Sequence, residues 1–229
     1  MSTHFSLHLV TEPRRTPQAL QAAVQQALDG GVDWVQLRDK GASAAAMYQV
    51  AEQLRSLTRA RQARLSINDR LDVALAVEAD GVHLAGQSLP VGAAARVAEK
   101  RLLVGRSVHG LAEAHLAVEQ GADYLTFGSV YPTQSHPGVP PHGLEELAQV
   151  VHEVDVPVLA IGGIGAHASS LEPVLATGCA GIAVISAILS AIDPRAAAAQ
   201  LRRALDCSVH RPRIPFGEQH ESHRQPAAV

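Results

Sequence analysis

The sequence predicts an α/β protein folded as a single (β/α)8 TIM barrel, and three observations carry that expectation. Strand-length apolar runs alternate with alanine- and leucine-rich helical stretches, eight such units precede a change in composition, and no long insertion interrupts the series. With 229 residues, 47% of them hydrophobic, the chain can bury the one full core that a barrel needs.

The runs are FSLHLV, DWVQL, RLSI, DGVHL, RLLVG, DYLTFG, VPVLAIGG and AGIAVIS, in that order. Most are rich in Val, Ile or Leu, as strands covered on both faces must be. Between them lie stretches such as TPQALQAAVQQALD, AAAMYQVAEQLRSLTRA and LAEAHLAVEQ, whose apolar positions recur at helical spacing and offer one face to a sheet. GGVDW at 30–34, EADGV at 78–82, QGADY at 120–124 and TGCAG at 177–181 lead into strands in a similar way. A glycine closes the preceding helix there and the chain turns into the sheet. An open flavodoxin-like or Rossmann sheet is the competing architecture, but it uses about five or six strands and gives no reason for eight. The barrel is assigned to residues 1–206. From 207 onward the polar, proline-bearing CSVHRPRIPFGEQHESHRQPAAV offers little apolar surface to offset ordering entropy, so 207–229 is expected to be a disordered tail.

A formal net charge of -3 supplies no basic field, which argues against nucleic acid as a partner. Cys179 and Cys207 have neither metal-ligand spacing nor the density of a disulfide scaffold. No apolar stretch approaches the roughly 18 to 20 residues of a membrane span, and the first residues lack a basic start followed by an apolar run. A soluble, unprocessed, cytoplasmic protein without membrane contact is expected, and the sequence leaves room for a homo-oligomer.

In a barrel, residues that follow the strands share one mouth, so position ranks the polar residues. Gln36, Arg38 and Lys40 follow the second strand; Asn68 and Asp69 the third; Ser107 and His109 the fifth. Arg38 and Lys40, two apart, can face one anion from extended backbone. Asp69 is either a hard oxygen ligand for magnesium or the cap of a helix starting near Arg70. His83 reads as a satisfied histidine of the barrel wall. The sixth loop, from Ser129 to His142, carries Thr133, Ser135 and His136 and has the length of an ordered lid. His136, with an unperturbed pKa of about 6.5, can exchange protons at neutral pH. Gly162, Gly163 and Gly165 after the seventh strand, with Ile185 and Ser186 after the eighth, suggest a phosphate cradle of backbone amides.

The ordered motifs QLRDK at 36–40, INDR at 67–70, GVHL at 81–84, GRSVH at 105–109, FGSVYPT at 127–133, AIGGI at 160–164 and AVIS at 183–186 resemble the thiamin-phosphate synthase and thiazole tautomerase (TenI-type) family. The resemblance spans about residues 5–205 and implies the same barrel. In the synthase branch it implies that Arg38, Lys40, Asn68, Ser107 and Thr133 hold pyrophosphate, that Asp69 binds magnesium, and that Gly163, Ile185 and Ser186 hold a thiazole phosphate. Two departures stand out: Ser88 occupies the place of a second magnesium-binding aspartate, and His136 that of a pyrophosphate-clamping lysine. These losses favour the tautomerase branch, which moves protons on a small phosphorylated thiazole and uses no cofactor. His136 is then the first candidate acid/base and His109 the second, since Ser129 stands where one type of tautomerase has its histidine. The alternative is the magnesium-dependent synthase. A third reading is a non-catalytic regulator that binds thiazole or thiamin phosphates.

Overall fold

The computed structural model describes residues 4–13, 15–133, 138–165 and 167–217, with backbone only at Ala168 and Ser169. Eight parallel strands close into a barrel in chain order: β1 (Ser6–Val10), β2 (Trp34–Leu37), β3 (Arg64–Asn68), β4 (Gly81–Leu84), β5 (Leu103–Val108), β6 (Tyr124–Phe127), β7 (Val158–Ile161) and β8 (Gly181–Val184). Helices α1 (Pro17–Asp29), α2 (Ala44–Ala60), α3 (Leu71–Ala76), α4 (Val91–Ala98), α5 (Leu111–Glu119), α6 (Gly143–Glu153), α7 (Ala168–Ala176), α8 (Ser186–Leu189) and α9 (Pro194–Cys207) follow the strands. The expected fold class is therefore the observed one.

Local chemistry sets the helix starts. Thr16, Ser43 and Asp193 each accept an N–H from the residue three places on, at Ala19, Ala46 and Ala196, and Pro17 and Pro194 open the first turns of α1 and α9. Outward strand residues such as Leu7, Leu9, Val35, Ile67, Val82, Leu125 and Ile182 are buried against the helices in one continuous apolar layer. Inside the barrel the bottom is filled by Trp34, Leu103, Tyr124 and Leu159.

The recurring strand approaches owe as much to an aspartate as to a glycine. Asp33, Asp80 and Asp123, just before β2, β4 and β6, accept the backbone N–H of Leu7, Leu65 and Val104 at 2.7, 2.8 and 2.7 Å. Each carboxylate satisfies a donor at the start of the preceding strand and so ties neighbours together at the structural end of the barrel.

Residues 208–217 depart from the expected disorder. Arg213 donates its backbone N–H to Gly178 O at 2.8 Å, and its guanidinium reaches Val154 O at 2.6 Å and Val151 O at 3.1 Å. Phe216 then packs under the barrel against Trp34 and Tyr124, with ring centroids 5.4 and 5.6 Å apart. A segment this polar is ordered because the aromatic floor gives its one phenylalanine an apolar seat. The residues from 218 onward lie outside those described. Among the described residues, no helix is long and apolar enough to cross a membrane.

Candidate active site

Because all eight strands run in parallel around a closed ring, everything that follows a strand opens on the same face. Gln36, Arg38, Lys40, Asn68, Asp69, Ser107, His109, Thr133, Gly162, Gly163, Ile185 and Ser186 all lie at or just beyond the carboxyl ends of their strands. His136 and Ser135 lie outside the described residues.

A chain of side-chain hydrogen bonds runs along one side of the mouth. Gln36 Nε2 donates to Asn68 Oδ1 at 2.8 Å, and Asn68 Nδ2 donates to Asp69 Oδ2 at 2.6 Å. The other oxygen of Asp69 accepts the N–H of Ala85 at 3.1 Å and the hydroxyl of Ser88. Asp69 caps no helix: α3 begins at Leu71 without a side-chain cap, and the left-handed backbone of Asp69, at φ 63°, directs its carboxylate to the loop after β4. Arg106 steadies that loop by donating to Ala85 O at 2.6 Å. Buried Thr11, at the end of β1, accepts the backbone N–H of Arg38 at 2.9 Å and so fixes where Arg38 leaves the sheet. Neither Arg38 nor Lys40 makes an ion pair with a described residue, whereas Arg55, Arg59, Arg61 and Arg202 all do so elsewhere.

His83 projects into the barrel below this chain, with Nε2 2.8 Å from Ser107 Oγ and Nδ1 3.2 Å from the Tyr124 hydroxyl. Burial first, and then the charges of Arg106 and Arg38, hold its pKa down at about 4 against the opposing pull of Asp69. The imidazole is neutral at physiological pH. His83 is thus the bonded wall residue that its surroundings suggest.

His109 sits exposed at the rim. Its Nδ1 is 2.6 Å from Gly128 O, and since a carbonyl only accepts, Nδ1 carries the proton and Nε2 is left as the basic nitrogen. The ring stacks on His142, 5.6 Å away, which in turn meets Glu146 at 3.1 Å. Sequence reasoning missed His142 and Thr11, because nothing in their neighbourhoods marks them out before the loops are folded.

The glycines after β7 lie hard against the sixth loop. A Cβ on Gly162 would lie 2.6 Å from Ser129 Cβ, and one on Gly163 2.6 Å from Pro132 O, with φ at +102° and +68°. These glycines admit the sixth loop, which is laced to β7 by Val130 N–H to Ile161 O at 2.9 Å and Tyr131 N–H to Gly162 O at 3.1 Å. Among the described residues, the N–H groups of Gly163 and Ser186 have no partner in a turn or loop, and Ser186 is exposed at the start of α8. No group of three His, Cys, Asp or Glu among the described residues could hold a metal by itself. Asp69, a single hard carboxylate at the mouth, is of the kind that would hold a magnesium ion.

A family model described as thiamine monophosphate synthase matches residues 7–188. The chain belongs to the thiamine monophosphate synthase family. Members of this family serve thiamine biosynthesis. The thiamine-phosphate synthase of Pyrococcus furiosus is 42% identical over 202 residues, covering 88% of this chain and 95% of the relative. A putative thiamine-phosphate synthase of Geobacter sulfurreducens is 45% identical over 193 residues, covering 83% and 90%. The solved thiamine phosphate pyrophosphorylase of Pyrococcus furiosus superposes with a TM-score of 0.80 over 89% of this chain and 96% of that one, at 42% identity. A 3-hexulose-6-phosphate synthase, at a TM-score of 0.67 and 19% identity, shares the fold alone. The family relatives carry the synthase name, so they back the alternative of the sequence reading over the tautomerase placed first.

Proposed function

We propose that this chain is a thiamin-phosphate synthase, joining a hydroxymethylpyrimidine pyrophosphate to a thiazole phosphate. The observation that carries the reading is the gathering of Arg38, Lys40 and the Gln36–Asn68–Asp69 chain on one side of the mouth. A site that only shuttles protons on a monophosphate has no use for two fixed cations and an aligned carboxylate, whereas a leaving pyrophosphate needs its growing charge offset. In this reaction the bond from the pyrimidine methylene carbon to oxygen breaks, pyrophosphate departs with the electron pair, and the thiazole nitrogen supplies a pair to the methylene cation.

Arg38 and Lys40 take the outer pyrophosphate oxygens, while the second N–H of Asn68 and the hydroxyls of Ser107 and Thr133 take inner ones. The amides of Gly163 and Ser186, beside Ile185, receive the thiazole phosphate. Asp69 would hold a magnesium ion, which would supply positive charge to offset that of the leaving pyrophosphate. Asn68 and Ser88 orient the Asp69 carboxylate for that purpose.

Incubation with both substrates and magnesium, followed by a pyrophosphate-release assay, tests the reading. Turnover that falls at least a hundredfold in an Arg38→Ala variant is expected; absence of pyrophosphate release from the unaltered protein overturns it. One observation favours the tautomerase as a second reading: Ser88 meets Asp69 where the family pattern places a second aspartate. That reading predicts aromatisation of thiazole carboxylate phosphate without metal, lost in His136→Gln or His109→Gln. Binding of thiazole phosphate with neither activity would point to the regulator.

A further inference from the structure

The mouth residue Ser107 is wired to the floor of the barrel. Ser107 Oγ lies 2.8 Å from His83 Nε2, and His83 Nδ1 lies 3.2 Å from the hydroxyl of Tyr124. Tyr124, on the first residue of β6, is 1% exposed and belongs to the aromatic floor with Trp34 and Phe216. Its ring reaches His83 on β4 by passing over β5 at Gly105, which pairs with Tyr124 on one side and His83 on the other. A Cβ at Gly105 would come within 2.1 Å of Tyr124 Cζ, so the glycine is what allows the crossing.

We propose that Tyr124 is a positioning residue that donates its phenolic proton to His83 Nδ1, makes His83 donate from Nε2 to Ser107, and leaves the Ser107 proton facing an anion in the mouth. The direction follows from counting protons. A neutral imidazole has one donor and one acceptor nitrogen, so its two bonds run in a single sense. If Ser107 donated to His83, the lone pairs of Oγ would face the incoming phosphate oxygens and repel them. With the opposite sense, Ser107 accepts from below and donates above, and Tyr124 is the group that sets it. Burial pushes the phenol pKa well up, which keeps its proton in place. The Ser66 hydroxyl, also beside the phenol, has no partner in hydrogen-bonding geometry among the described residues. The phenolic proton is therefore left for the imidazole.

The part of this inference that concerns the anion rests on the proposed pyrophosphate site, and the test separates the two. Nitrogen-15 NMR of histidine-labelled full-length protein, without ligand, is expected to show His83 protonated on Nε2. In Tyr124→Phe, and in Gly105→Ala, which displaces the ring but keeps the phenol, the Nδ1-protonated form is expected to appear. Titration with inorganic pyrophosphate should weaken about fivefold in Tyr124→Phe and about tenfold in Ser107→Ala, in line with one charged hydrogen bond. Tyr124→Phe should then cost nothing further in the Ser107→Ala background, because its effect passes through that hydroxyl. An Nδ1-protonated His83 in the unaltered protein overturns the wiring, whether or not either variant folds. Equal losses from Tyr124→Phe in both backgrounds overturn it too, since a purely structural role would give that result. If Ser107→Ala leaves pyrophosphate affinity unchanged while the tautomer is as stated, the anion grip falls and the wiring stands without it.

Discussion

Single side chains decide how the mouth handles charge, and Ser88 is the most informative of them. Its hydroxyl donates to Asp69, so one carboxylate is held among three donors, from Asn68, Ala85 and Ser88. Ser88→Asp would replace a donor by a second negative charge against the first, which is unfavourable until a cation arrives. Calorimetry with inorganic pyrophosphate present should show magnesium binding about tenfold tighter in this variant. Without metal its thermal midpoint should drop by about 2–4 °C, the equivalent of about 1 kcal/mol for a chain of this size. Unchanged magnesium affinity would separate Asp69 from any metal. Asp69 and Arg38 could be ranked from the sequence because each sits a fixed distance beyond a strand, whereas Ser88 stood out only through the family resemblance. Thr11 and His142 could not, since their roles arise only when β1 meets the loop after β2 and α6 meets the loop after β5.

Between elements, the tightest constraint is the seam where the first and last strands meet. Ser6 pairs with Gly181, and a Cβ on Gly181 would lie 2.0 Å from Ser6 O at a φ of +153°. Neither backbone can retreat without breaking the ring, because β1 is also bonded to β2 and β8 to β7. Gly181→Ala should therefore cost about 2–4 kcal/mol by urea unfolding, well above an ordinary surface change. A loss under about 0.5 kcal/mol would mean that the seam yields. The eight-unit alternation was legible in sequence because strand-length apolar runs and the helical spacing of apolar residues between them were intact in most units. The function of the aspartates before β2, β4 and β6 was not legible, since a carboxylate that reaches across to a neighbouring strand leaves no mark at local spacing. The glycines after β7 were read as an anion cradle from position alone. Their close approach to Ser129 and Pro132 depends on a loop more than 30 residues upstream.

At the scale of the molecule, the base of the barrel is stoppered by residues beyond the last long helix. Composition misled there: a polar, proline-bearing segment is ordered by a few backbone bonds from Arg213 and one aromatic contact that no periodicity announces. The chain has one tryptophan, and Trp34 lies against the stopper. Removing residues 208–229 should shift its fluorescence emission to the red and cost about 1–3 kcal/mol of stability, read by fluorescence-monitored urea unfolding. An unshifted spectrum would show that Phe216 does not shield the indole in solution. Synthesis proceeds from the amino terminus, so the order in which contacts become available is fixed. A nascent chain can pair its early strands while still attached to the ribosome, yet it can neither zip Gly181 onto Ser6 nor seat Phe216 until those late residues have themselves been made. Waterproofing of the interior that carries Tyr124 and His83 thus has to wait for the eighth strand and for the segment that carries Phe216.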